Sequence, residues 1–568
     1  MQTFTKILEE LKTKLKSQYP DTYRDFSESS NGMMLLELFS ALGSFLTQNI
    51  DHGVSESLLP TAQNIDNVKK ILANIGYKFR PTYAARGKVL LSFKLPRLLD
   101  GDVNLKYGVI VLPGTKFLAE NGETYSLINM VDFSQGSEVG VVSDYNNLTE
   151  GQWTIIDKED DRATIGKVGW VSGGDIKAID VEIGEFAENR EVVIEDIGIF
   201  EIVSVVDTDN FKWREVDYLS EDIVIKENLD IQYVPRRFVV DYLNDGATLK
   251  FGSGKIDTET VNGFDYFFKQ ANLTQQLNPK KFINSIGTGL SPYNTTLKIT
   301  YKNCPNGGEL TNLMATNSLN KIVDLNAFLK DFAAIDYDIY KSVMDSARVT
   351  NFSPVVGGRD ITTVGQIREL ASYEFASQKR TITKEDYIAR IFTTPSGFGQ
   401  AYKANVKVED NKIKIYILLQ DKDKKLVKPT AEYKESILGY LNNFKPITDE
   451  VEIWDGEIYN IIVDFGIKIN KEFIDNKNIV LGQCLIEISN LLSTANAAMG
   501  NNIIKSRIIS KLQGIAGVLS VSYVKITLNA VSPDKVSVEP VDGIIYGNEN
   551  GMFEIKNITG DIRGAVIW

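Results

Sequence analysis

An α+β multidomain fold is expected here: an N-terminal helical domain, a central β-rich domain with an inserted β region, and C-terminal tandem α/β sandwich units. Three observations lead there. Before Gly76, apolar residues recur at spacings of three and four, as on helix faces. From Pro81 the apolar period falls to two, as in strands with one buried face. Beyond residue 400, strand-like and helix-like stretches alternate through two successive units.

The 568-residue length allows about three or four domains. Phe4, Ile7, Leu8, Leu11 and Leu15 give a first helix one apolar stripe. The second helix, about Ser30 to Ile50, is different: apolar side chains cover most of its circumference. Such a helix has to be buried on several sides, against the rest of this chain or against partner chains. In the second case Leu35, Leu38, Phe39, Leu42, Phe45 and Leu46 form the partner interface. A third helix, Ala62 to Ile75, ends at Gly76 as a C-cap, which closes a partner-binding domain over residues 1–80.

Strands are expected at Lys88–Lys94, Val109–Phe117 and Thr124–Ile128, with Pro113 and Gly114 marking a turn. They open a β-rich domain over residues 81–310, in which about 132–240 reads as an acidic, strand-patterned insertion. Leu319, Ile322, Leu325, Phe328 and Leu329 then sit at helical spacing, so residues 311–400 are expected to be a helical connector. Within it Gly357 and Gly358 precede Asp360, Thr362 and Thr363, whose oxygens suit a helix start. Ile367, Leu370, Ala371 and Phe375 give that helix a face, and Gln378, Lys379 and Arg380 end it. Thr383, with Asp386 three residues on and Tyr387 next, has the spacing of a capping box. The first α/β unit spans 401–457 and the second 458–530. The tail, 531–568, is expected to form hairpins that pair with a neighbour's sheet edge.

Several activities lack their residues. A formal net charge of -13 argues against coating nucleic acid, which needs a basic surface to release counterions. The single histidine, His52, is expected in a loop over Asp51–Gly53, so zinc chemistry lacks ligands; a serine triad would need His52 as its base, and no GxSxG frames a serine. Gly252–Lys255 lacks the spacing of a phosphate loop and reads as a turn. Asp157, Glu159, Asp160 and Asp161 read as a solvated turn, because Arg162 stands where a calcium loop wants glycine. No cofactor is expected. Cys304 and Cys484 read as two free thiols. The longest apolar run, Met33 to Leu46, is broken by Glu37 and too short to cross a bilayer, so no membrane partner is expected.

The order Gly357, Gly358, Asp360, Gln378, Arg380, Thr383, Asp386, Tyr387 resembles the signature of baseplate J-like proteins, baseplate wedge proteins of contractile-tailed phages. Asp25, Leu35–Leu38, Glu56, Leu59, Thr61, Ala62, Gly76 and Tyr77 match that family's opening, and Leu112–Phe117 also looks like it. The chain departs at Ile361–Thr363, where the family more often carries acids. The resemblance implies a non-enzymatic virion component, assembled in the host cytoplasm, that forms a ring around the central hub. It would link wedge to wedge and pass the trigger to the sheath. Its implied partners are other wedge subunits, itself as dimer or ring, and hub and sheath-proximal proteins. Two alternatives stay open: the equivalent subunit of a bacterial contractile injection apparatus, and a tail-associated glycan hydrolase.

Overall fold

The computed structural model describes residues 4–19, 26–27, 30–74, 77–140, 142, 144–149, 151–221, 223–225, 231–243, 245–255, 288–330, 336–361, 363–377, 380–410, 412–529 and 543–567. Helices and several β-sheets combine in a mixed α+β multidomain chain, in line with the sequence expectation. It divides into two compact units: Met1–Phe79 with Thr362–Phe375, and Arg80–Ile361 with Ala376–Trp568.

The first unit holds α1 (Phe4–Gln18), α2 (Asn31–Glu56), α3 (Ile65–Asn74) and most of α4 (Val364–Ser377). Val68 and Leu72, four apart on α3, are buried, as are Ile367, Leu370 and Ala371 on α4. The Arg368 guanidinium donates to the Ala62 carbonyl and so ties α4 to the residues just before α3. The α2 helix runs through Asp51, His52 and Gly53, so His52 is an exposed helical residue and not a loop residue as expected. Gly76, the expected C-cap, lies outside the described residues.

The second unit starts with an eight-stranded sheet built on β1 (Arg86–Pro96) and β2 (Arg162–Gly173). They pair antiparallel from Arg86↔Ser172 to Pro96↔Arg162. Val89, Leu91, Phe93 and Leu95 of β1 pack with Val111, Phe117 and Tyr125 in its core. A seven-stranded sheet follows, with β3 (Asp175–Ile183) at one edge beside β4 (Thr295–Asn303). The insertion expected at about 132–240 is therefore misplaced. The strand Gln152–Lys158 and β2 belong to the first sheet, and the second sheet runs from β3 to β4. The corner between them is Gly174, at φ +95°, where a Cβ would sit 2.6 Å from the Asn303 carbonyl oxygen. Only glycine fits such a corner.

The helical connector expected from residue 311 is also corrected. Leu319–Asp324 is a strand that pairs with Lys116–Ala119, Ala327–Leu329 is another, and a helix begins only at Tyr337. Register shifts between Leu319 and Lys321 and between Ile322 and Asp324 break the strand's alternation. The apolar residues thus fall three apart and imitate a helix.

Past residue 380 come α5 (Lys384–Phe392) and a sheet of β5 (Lys403–Glu409), β6 (Lys412–Gln420) and β7 (Val451–Asp455), with α6 (Ala431–Leu441) alongside. Thr430 caps α6, accepting from the Tyr433 amide at 3.3 Å. The last sheet centres on β8 (Glu457–Ile469), covered by α7 (Lys477–Leu491) and α8 (Lys505–Gln513). Antiparallel to β8 lies β9 (Val518–Asn529); β10 (Gly551–Glu554) and β11 (Ile562–Val566) pair with it in parallel. The tail hairpins expected to meet a neighbour's edge are thus replaced, where described, by strands that complete the chain's own sheet.

Lys167 tests the first sheet. It is 4% exposed, and its amine donates to the Asp132 and Gln135 carbonyls at 2.5 and 2.6 Å. Lys167→Met leaves both carbonyls without that donor and should cost about 2 kcal/mol, read as an earlier thermal unfolding transition.

Candidate partner interface

Ser30 opens α2 as its N-cap, accepting from the Met33 amide at 3.1 Å. Met33, Leu36 and Ser40 are the buried residues of this helix. Gly43 lies on the same side, and a Cβ there would touch Ile7 of α1 at 3.6 Å. The half-buried stripe of α1, Ile7, Leu8, Leu11 and Leu15, accounts for that contact.

The other side of α2 is bare. Leu35, Leu38, Phe39, Leu42, Phe45 and Leu46 are 50% to 64% exposed, and Met34, Ile50 and Val54 continue the strip. At about 100° per residue, the apolar positions from Ala41 to Ile50 sweep roughly half the circumference. Nine large side chains at half exposure or more leave on the order of 900 Å² in one strip, above the ~300–600 Å² that a monomer ordinarily shows. A two-helix seam needs only a narrow a/d stripe, so a strip this wide has room for more than one neighbour.

The end of α2 is anchored. The Glu56 carboxylate accepts from the Gln63 and Asn64 amides at 2.8 and 3.1 Å and from the Asn67 side-chain amide at 3.1 Å. The Gln63 amide, then Asn67, holds its carboxyl below the usual glutamate range.

Six of the signature residues are internal braces. Gly357 has φ +98°, and a Cβ there would meet the Tyr433 ring at 2.9 Å and Gly399 at 3.1 Å. A Cβ on Gly358 would overlap the Gly308 carbonyl oxygen at 2.1 Å. Asp360 does not cap α4 as expected: it accepts from the Gly308 and Glu309 amides at 2.9 and 3.2 Å. Thr383 and Asp386 form the expected capping box, and Tyr387 donates to Asp449 at 2.7 Å. Arg380 is exposed, and Gln378 lies outside the described residues.

Two partners of this brace were missed in the sequence. Asn312 receives the Gly358 amide at 2.9 Å and donates back to its carbonyl at 2.8 Å. Arg359, nearly buried, donates to the Ala401 carbonyl at 3.0 Å and lies over the Tyr402 ring. An arginine directly after a glycine pair was the available signal for the second; Asn312 had none.

Among the described residues no cluster of three acidic, histidine or cysteine ligands occurs, and no helix is long and apolar enough to cross a membrane. Cys304 and Cys484 are buried free thiols, and burial pushes the Cys484 thiol up to about 11.

No known family profile matches the chain, and no curated protein resembles it in sequence. Among solved structures it is similar to a chain of the anti-feeding prophage baseplate determined by cryo-EM with six-fold symmetry. That match has 11% identity, covers 97% of this chain and 90% of the other, and has a TM-score of 0.27.

Two measurements check this geometry. Gly357→Val must strain its backbone and displace Tyr433, so it should destabilise the second unit by more than about 2 kcal/mol in thermal melts. Because the folded carboxyl of Glu56 titrates lower than the unfolded one, its contribution is full above the ordinary carboxylate pKa and fades as pH falls through the folded value. Glu56→Gln should therefore lower the melting point of the helical unit near neutral pH, and the difference should shrink as the pH falls below the ordinary carboxylate range.

Proposed function

We propose that this chain is a structural wedge subunit of a contractile-tail baseplate, related to the J-like proteins. In this reading it forms part of a ring around the central hub, links wedge to wedge, and relays the rearrangement that triggers the sheath. It works in the assembled tail, and its partners are other wedge subunits, further copies of itself, and hub and sheath-proximal proteins. The equivalent place in a bacterial contractile injection apparatus is the same physical role.

The exposed apolar half of α2 carries the reading. Water leaves such a strip when helices of other subunits cover it, and burial of apolar area is the main driving force of obligate assembly. The signature order supports the particular family. Gly357, Gly358, Asp360, Thr383, Asp386 and Tyr387 of that order brace the second unit internally, which suits a part that transmits displacement without deforming.

The mechanism is mechanical. Contacts along α2 that admit two packings would let the ring hold one arrangement and then another, with free energy supplied by the change in buried surface.

Leu38→Asp with Leu42→Asp places two carboxylates in the middle of the strip. Both positions are exposed, so the isolated protein should melt as the unsubstituted chain does. Once covered, each unpaired charge costs several kcal/mol, so co-expression with the products of neighbouring genes should yield no wedge complex by electron microscopy. Normal complexes from the double variant would end the proposal.

A further inference from the structure

A cleft of about 390 Å³ opens in the last α/β unit, away from α2 in sequence and composition. Its walls are the end of α7, the segment 492–502, α8 and β10. Leu491, Leu492, Met552 and Phe553 supply an apolar side, and Met552 and Phe553 are buried in the fold beneath. The walls are fixed by backbone: the Gly500 amide donates to the Gly551 carbonyl at 2.8 Å, and the Gly547 amide to the Asn502 side chain at 3.0 Å.

The rim is cationic on an acidic chain. Arg507 and Lys511 stand one turn apart on α8, and both line the cleft. Lys511 is shared with Glu487 across the opening at 3.5 Å. Among the described residues Arg507 has no hydrogen-bond or ion-pair partner. The rim therefore has two cations against one carboxylate, and its unmatched member is a planar guanidinium, the group best suited to bind a carboxylate through two parallel bonds. Asn490 and Asn501 add amides beside it.

We propose that this cleft receives a short segment of a partner protein, one apolar side chain with a carboxylate beside it. The apolar side chain lies against Leu491 and Leu492, with the largely covered Met552 and Phe553 beneath it, and the carboxylate pairs with Arg507. The volume, worth about a dozen waters, accommodates a single anchoring residue and its neighbour. This contact is independent of the α2 strip: the Asp pair on α2 would abolish wedge assembly and leave the cleft unchanged.

The test uses the full chain with its methionine methyls labelled for NMR, the Met552 signal being assigned by Met552→Leu. The probes are N-acetyl-L-leucine and N-acetyl-L-leucinamide, which differ only in the carboxylate. The acid should shift the Met552 methyl in a saturable way and the amide at least about fivefold more weakly. Arg507→Gln should weaken the acid by a similar factor with unchanged melting, and Arg507→Lys should restore part of it. No Met552 shift with either probe overturns the proposal. So does an equal response to acid and amide, or a response to the acid that Arg507→Gln leaves intact.

Discussion

The contact on which the second unit depends is the close approach of Gly357–Asp360 to two other parts of the backbone. Gly358 lies against Gly308 with no room for a side chain, and Asp360 binds the Gly308 and Glu309 amides. The same segment pairs with the lead-in to β1, Tyr83↔Arg359 and Thr82↔Asp360. Through Arg359 it reaches Gln400 and Ala401, just before β5. Three stretches distant in sequence are thus pinned by charge-assisted and backbone bonds within a few residues. Low local dielectric makes such bonds strong and makes each costly to lose singly.

Stiffness in one unit and bare apolar surface in the other are complementary properties. A brace of buried, mutually satisfied polar groups resists small deformations, since packed interiors are not continuously compressible. The α2 strip has the opposite character: its environment is not fixed by its own unit. The composition agrees, because an acidic chain keeps free subunits apart by charge while a local apolar strip still permits specific contact.

The parts read well in advance were those set by local rules. Thr383 was placed at a helix start because a side-chain oxygen answers an unpaired amide wherever it occurs, and the start expected for the second helix falls at its N-cap, Ser30. The breadth of the apolar face on α2 was visible, but periodicity reports only that a face is apolar and never what covers it. Failures came where partners are remote. The bulged strand Leu319–Asp324 looked helical because two register shifts disturbed its alternation. The boundary at Gly174 was missed because β2 continues the same alternation that the next sheet uses. Asp360 was assigned to the nearest helix, whereas its partners lie some fifty residues earlier.

The placement of β10 and β11 bears on how the polypeptide is made. Their host, β8, is synthesised well before them, and its antiparallel companion β9 comes between. Through that interval the nascent β8 has one rim without its native neighbours. The ribosome must deliver residues 551–566 before this rim is closed, so until then it stays open to pairing with a strand of another chain.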